Sequence, residues 1–172
     1  VSSRKELKQF IRFANELYNN NPYYTPCLEF DELNTFDTKK NPALDHSKFA
    51  NFLAYKDGKV VGRITAIINE LANEHWGCKK VRFGWFDFID DYEVSRALLD
   101  AAADWGRQHG MTAMNGPVGF TDLDHQGLLL EGYQYLSPMA ALYNYPYYVE
   151  HFDAYGLTKE ADWVEIRLKV PE

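Results

Sequence analysis

Val81-Arg-Phe-Gly-Trp-Phe-Asp-Phe-Ile-Asp-Asp-Tyr-Glu-Val-Ser-Arg-Ala-Leu-Leu-Asp-Ala-Ala-Ala-Asp-Trp-Gly-Arg-Gln-His-Gly-Met-Thr-Ala-Met-Asn115 decides how this chain folds. Residues 81–89 are a β-branched and aromatic run, which reads as a strand. Residues 92–109 read as a helix, because Val94, Ala97, Leu98, Ala101, Ala102 and Trp105 recur with helical spacing. Asp90 and Glu93 have the spacing of a cap and its reciprocal partner. Gly110 suits the left-handed residue after the last turn, and Met111–Asn115 is a second short strand. A strand–helix–strand unit of this length makes a right-handed crossover between parallel strands. Ligands of open α/β sheets gather at the carboxyl ends of such strands. The turn after Ile89 is therefore the first place to look for a function.

Upstream, Asn51–Tyr55 and Val60–Asn69 flank Lys56-Asp57-Gly58-Lys59, an antiparallel hairpin with a preferred Asp-Gly turn. Leu71–Lys80 reads as a polar connection. Nearer the amino terminus, Ser3 and Glu6 form a capping box ahead of an apolar face made by Leu7, Phe10, Ile11, Ala14, Leu17 and Tyr18. Residues 22–48 read as a loop with a short helix near 29–34. Downstream, 116–145 is rich in Gly and Tyr with a possible helix near 126–131. A short helix over 146–155 stops at Gly156. A last strand alternates Val164, Ile166, Leu168 and Val170 with Trp163, Glu165, Arg167 and Lys169. The pattern predicts one α+β domain over 1–172. Its sheet is mixed and mostly antiparallel, with 81–89 and 111–115 as the one parallel pair and helices on both faces.

Composition narrows the partners. The chain has 172 residues, 46% apolar and 16% aromatic, enough for a substantial core. A net charge of −7 without a basic block argues against nucleic acid and anionic membranes. Cys27 and Cys78 make neither a disulfide framework nor a metal site, so we expect free thiols, a cytoplasmic setting and no metal. No apolar run reaches 18 residues and no basic-then-apolar leader is present. The chain starts at Val1 and ends in a strand-like segment, which suggests a piece excised from a longer protein.

The order of elements resembles the GNAT superfamily of acyl-CoA N-acyltransferases. The likeness rests on the hairpin Phe52-Leu-Ala-Tyr-Lys-Asp-Gly-Lys-Val-Val-Gly-Arg63, the helix from Ala97-Leu98-Leu99 to Gly110, and the late helix from Tyr148 to Tyr155-Gly156-Leu157. The chain also resembles the N-terminal part of longer bacterial GNAT-like proteins of unassigned substrate. The resemblance implies acetyl-CoA or another acyl-CoA as cosubstrate. It implies contacts to CoA from Phe88 and Ile89, from Ser95 and Arg96, and from Asn144, which lies one residue out of register with a family asparagine. Two positions depart from the family. The turn that usually carries Arg/Gln-x-x-Gly-x-Gly/Ala to hold the pyrophosphate carries Asp90, Glu93 and Ser95 here. The tyrosine that often protonates the leaving thiolate is Phe152. A helix N-terminus favours an anion by about 0.3–1 kcal/mol, and one like charge about 4 Å away offsets that. The acidic turn should weaken CoA.

Asp87 shares the alternation of Val81, Phe83, Trp85 and Ile89, an apolar face on which a carboxylate must be paired or protonated. It reads either as a general base for an amine or as a carboxylate tied to Arg63 or Arg82. His125, in Asp122-Leu-Asp124-His125, reads as a proton shuttle or as part of a solvated turn. Tyr143, Tyr145, Tyr147, Tyr148 and Tyr155 form either an aromatic wall or ordinary helix packing, and His151 is expected on the exposed side of its helix. The insert 116–145 is expected to fold over the strand ends, lining a pocket with Phe120, Asp122, His125 and Tyr143; Trp85 would also meet the substrate. These features suggest an N-acyltransferase acting on a small-molecule or peptide amine. The alternative is a non-catalytic GNAT-like domain that binds another ligand or completes a second domain of the same chain.

Overall fold

The computed structural model describes residues 1–137, 141–166 and 168–169. Helix α1 (Arg4–Leu17) starts at the capping box: Ser3 Oγ accepts the Glu6 amide at 3.2 Å, and Glu6 Oε2 accepts the Ser3 amide at 3.1 Å. α2 (Glu29–Thr35) and a short 3-10 helix (Pro42–His46) lead into β1 (Ser47–Lys56) and β2 (Lys59–Asn69). The hairpin turn has positive φ at Asp57 (51°) and Gly58 (74°), the backbone that an Asp-Gly turn supplies. α3 (Glu70–His75) follows at once, capped by Asn69, where the sequence suggested only a polar connection. β3 (Lys80–Phe88), α4 (Tyr92–Gln108), β4 (Ala113–Asn115) and α5 (Tyr147–Tyr155) complete the order.

The sheet runs β1-β2-β3-β4. β1 and β3 lie antiparallel to β2, and β4 lies parallel to β3, with Lys80, Val81 and Arg82 opposite Ala113, Met114 and Asn115. α4 and α5 cover one face, where Ile64, Phe83, Phe86 and Phe88 meet Leu98, Leu99 and Phe152. α1 and α2 cover the other, where Phe10, Ile11, Phe36 and Ile67 meet Phe120. This is the mixed α+β architecture, with helices on both faces, that the element order predicts.

Four local expectations need correction. Arg63 pairs with Asp87 but Thr65 pairs with Gly84, so two β3 residues, Trp85 and Phe86, oppose Ile64 alone. This bulge, with Trp85 at φ 45°, flips the alternation. Val81 and Phe83 face α4, whereas Trp85 joins the core beneath α1 and α2. Asp87 therefore does not share the face of Val81 and Phe83. Second, α4 is capped by Asp91, not Asp90: Asp91 has the extended backbone and accepts the Glu93 amide at 3.0 Å. Third, 126–131 is not helical. Its start is pinned instead by the Gly127 amide donating to Pro117 O at 2.9 Å. Fourth, residues 161–166 and 168–169 pair with no strand among the described residues, and Val164, Ile166 and Leu168 are exposed. Arg167 and Val170 of the expected last strand lie outside the described residues.

Candidate functional site

β4 ends opposite Arg82, so among the described residues the second half of β3 has no strand on the side away from β2. Other groups take that edge. The Val118 amide donates to Phe83 O at 2.8 Å. The Phe88 amide donates to the Tyr148 hydroxyl at 3.2 Å, and the Tyr147 hydroxyl donates to Phe88 O at 2.5 Å. Two tyrosines of α5 thus stand where a neighbouring strand, or a ligand's amide groups, would bond.

Tyr148 leads into a buried polar cluster. Its hydroxyl lies 2.8 Å from that of Tyr18, the last residue of the α1 apolar face. Both hydroxyls reach Asp87 Oδ1, at 3.4 and 3.2 Å. One hydroxyl proton can bond the carboxylate while the other bridges the pair. Asp87 Oδ2 accepts from Arg63 Nε at 2.7 Å, and Arg63 Nη1 donates to Phe10 O and Ile11 O on α1. Burial alone would lower the Arg63 pKa, but Asp87 and Glu32 hold it above its ordinary value. Burial pushes the Tyr18 and Tyr148 hydroxyls well above the usual tyrosine range, and the Asp87 charge adds to this. Asp87 is buried and paired with Arg63, one of the two arginines the sequence offered.

The first turn of α4 is closed by its own side chains. Asp91 takes the Glu93 amide and an ion pair from Lys56 at 2.7 Å, which together hold its carboxyl below the usual range, the Lys56 bond most strongly. Ser95 is fully buried; its hydroxyl donates to Tyr92 O at 3.0 Å and lies 2.8 Å from His151 Nδ1. His151 Nε2 lies 3.1 Å from Asp90 Oδ1. Ser95, His151 and Asp90 look like a nucleophile with its base, but a fully buried serine has no access to substrate. The trio ties α5 to the start of α4. His151 is buried among Phe88, Tyr92 and Tyr147, contrary to its expected exposed position, because α5 lies across α4.

The remaining candidates disperse. Ile89 donates its amide to Val61 O, which extends the β2 pairing. Arg96 is exposed on α4. Asn144 is buried, and its amide bonds both backbone groups of Leu129, which uses it to fix the insert. Trp85 Nε1 donates to Glu32 Oε2 at 2.6 Å. Phe120 is 1% exposed and packs against Phe36, Phe49 and Trp85, so it is a core residue with no surface for a substrate. Asp122 and His125 are exposed; His125 Nδ1 approaches Ala141 O at 3.2 Å. Tyr143 packs on Tyr18 and, with Asn21, Tyr133 and Tyr145, lines an open groove of about 460 Å³ behind the tyrosine cluster. The predicted residues thus converge only around Asp87, Phe88 and Tyr143. Sequence reading missed Tyr18 as a site residue and left Tyr148 between an aromatic wall and ordinary helix packing. The usable signal was a phenol hydroxyl on an otherwise apolar helix face, which needs a polar partner. Among the described residues no cluster of His, Cys, Asp and Glu could hold a metal ion, and no helix is long and apolar enough to cross a membrane.

No protein family profile matches the chain. Protein YghO of Escherichia coli (strain K12) is 36% identical over 162 residues, covering 93% of this chain and 41% of that protein. The bacterial ceramide synthase of Caulobacter vibrioides (strain NA1000 / CB15N) is 33% identical over 149 residues, covering 86% and 38%. The chain thus spans about two fifths of the length of these curated relatives. Among solved structures, a tandem GNAT protein from the clavulanic acid biosynthesis pathway superposes with a TM-score of 0.56 at 14% identity, over 90% of this chain and 41% of that one. AAC(6')-Iy, in complex with the bisubstrate analog CoA-S-monomethyl-acetylneamine, superposes at 0.50 and 14% identity, over 97% and 94%. The parallel pair with its crossover helix, the sheet order and these superpositions together give this chain the GNAT fold.

Proposed function

We propose that this chain is the GNAT-fold portion of a longer N-acyltransferase that moves an acyl group from CoA to the amine of a long-chain amino alcohol. The observation that carries the reading is the likeness, over 86% of the chain, to a protein named for making ceramide. Ceramide is an amide of a fatty acid with such an amine. On this reading the amine nitrogen attacks the thioester carbonyl, the C–N bond forms and the C–S bond breaks. The amine loses one proton and the leaving thiolate gains one. Tyr148 keeps its proton at neutral pH, as tyrosines do, and burial raises its pKa further; it is buried in the free protein, so on this reading acyl-CoA binding must uncover its hydroxyl before it gives the proton to sulfur. Tyr18 and Asp87 extend the path by which Tyr148 is reprotonated. Arg63 holds the Asp87 carboxylate in place through their 2.7 Å contact.

The test is amide formation by the longer protein from palmitoyl-CoA and a long-chain amino alcohol, with calorimetric titration of the same acyl-CoA. Tyr148→Phe is expected to lower kcat by about 10²–10⁴-fold, the usual worth of a positioned acid, while the Kd for acyl-CoA is retained. A fully active Tyr148→Phe enzyme would remove Tyr148 from the mechanism. If acyl-CoA neither binds nor reacts, the non-catalytic domain is the better reading. The observation behind that second reading is the α4 N-terminus, already capped by Asp91 and flanked by Asp90 and Glu93.

A further inference from the structure

We propose that the groove behind the tyrosine cluster binds the hydroxyl groups of the acceptor amino alcohol, and that Asn21, Gln134 and Tyr143 read them. The groove, about 460 Å³, is lined from the loop after α1 and from the segment that leads into α5. Among the described residues that line it none carries a charge; apart from Pro22 they are four tyrosines, three asparagines and Gln134. An ionic group gains no counter-charge there to offset its lost hydration. A hydroxyl fits, because it both donates and accepts, as an amide side chain and a phenol do. The Tyr143 hydroxyl accepts from Asn21 Nδ2 at 3.1 Å, but its own proton meets Tyr133 O only at 3.5 Å, beyond the usual range for such a bond. A ligand oxygen at ordinary distance would take that proton instead. Asn21 Oδ1 accepts the Tyr23 amide at 2.9 Å, which fixes the side chain and leaves the second Nδ2 hydrogen for a ligand. Gln134, on the other wall, is exposed.

The back of the groove is packed and adjoins the chemistry. The Tyr143 ring is buried and meets Tyr18 edge-on, with centroids 5.8 Å apart, and Tyr145 meets Tyr18 at 5.0 Å. The Tyr18 hydroxyl lies 3.2 Å from Asp87 Oδ1. The groove is therefore one ring removed from the cluster to which the proton transfers are assigned. Asn20 has φ 66°, a left-handed backbone that asparagine tolerates, and the chain turns there so that Asn19 and Asn21 both line the groove. An amino alcohol carries hydroxyls on carbons next to the amine, so a hold on the hydroxyls orients the amine without a contact to its charge. The inference rests on the amino-alcohol reading for the identity of the ligand. A sugar offers the same hydroxyl chemistry, and the test separates the two.

Calorimetric titration of the longer chain with three soluble amines is the experiment. 2-Amino-1,3-octanediol, 2-amino-3-octanol and 2-aminooctane share their chain length and amine and lose one hydroxyl at each step. Affinity is expected to fall by about three- to tenfold with each hydroxyl removed, the worth of one hydrogen bond. Tyr143→Phe keeps the ring on Tyr18 and removes the hydroxyl, and Gln134→Ala changes only an exposed side chain. Each should bring the affinity of the diol closer to that of the mono-alcohol. Equal affinity of the unaltered protein for the three amines overturns the proposal. So does discrimination that survives in both variants, since the hydroxyls would then be read elsewhere. Tighter binding of methyl glucoside than of the diol, lost in Tyr143→Phe, also overturns it and makes the groove a sugar site. The titration needs no acyl-CoA, so this inference and the transferase reading fail separately. Graded binding of the amines without amide formation from palmitoyl-CoA would remove the transferase and leave the groove. Amide formation at equal rates from all three amines would keep the transferase and refute the groove.

Discussion

Asp87 carries more of this molecule than any other side chain. Its two oxygens serve different partners, Arg63 on one and the tyrosine pair on the other. Breaking such a buried pair from one side leaves a charge without compensation, at a cost of about 3–5 kcal/mol. Arg63→Met and Asp87→Leu are each expected to fall in that range in urea denaturation. The double variant should be less destabilised than either, because no buried charge is left. A double variant whose loss equals the sum of the singles would show that the two side chains act independently. Glu6 gives a second residue-scale test. The Ser2 backbone amide, with help from Ser3, lowers its pKa from 4.5 to about 2. A depressed carboxyl contributes stability above its unfolded pKa and loses it as the folded form is protonated. The fold should therefore lose stability as pH falls from 4.5 to about 2, and Glu6→Gln should flatten that part of the profile. Burial and pairing of Asp87 were legible, because a carboxylate in an apolar strand has few options. Which strand face it uses was not, because the bulge at Trp85 is fixed by pairing with β2 rather than by local sequence.

Among elements, α4 was the most readable, and its contacts explain both the success and the one slip. Its apolar stripe is continuous, but two adjacent aspartates compete for the cap. The extended backbone at Asp91 decides between them, along with its ion pair to Lys56 from β1. That partner is distant in sequence. The expected last strand finds no partner among the described residues for the opposite reason: alternation shows what a segment can do, and pairing needs a neighbour. Gly106 tests the α4 packing. Glycine inside a helix is worse than alanine by about 1 kcal/mol, so Gly106→Ala would stabilise an isolated helix. Here the added Cβ would lie 2.5 Å from Val81 Cγ1 and 2.8 Å from Val81 Cβ, too close for a side-chain tip to yield. Thermal denaturation is expected to show a net loss of about 1–3 kcal/mol; a gain would mean that α4 shifts freely on β3. The charged first turn gives another prediction. Removing or reversing two like charges near a pyrophosphate, each worth about 1 kcal/mol at 4 Å in water, should tighten acetyl-CoA by roughly tenfold or more. Asp90→Arg with Glu93→Gly is the variant, and calorimetry the measurement. Equal binding by the two proteins would show that the carboxylates point away from the ligand.

At the scale of the molecule, the sheet separates two apolar layers that do not share side chains. The polar cluster spans both of them. Arg63 grips α1 through Phe10 O and Ile11 O, Tyr18 comes from the end of α1, and Tyr148 comes from α5 on the other face. Asp87 and the Phe88 amide hold the centre. The cluster should therefore couple the docking of α1 to that of α5, adding to the Tyr145 ring, which packs on Tyr18 and on Tyr147. Asp87→Asn keeps the shape but weakens the bonds to Arg63, Tyr18 and Tyr148 at once, so amide exchange should speed up in both α1 and α5. Phe152→Ala removes a buried ring from the α4–α5 layer alone, at a cost of about 3–5 kcal/mol. In that variant the sub-global opening of α5 should accelerate well before that of α1. Exchange measured helix by helix distinguishes the two patterns. If Asp87→Asn loosens α5 and leaves α1 as protected as before, Arg63 holds α1 without Asp87, and the coupling across the sheet does not exist.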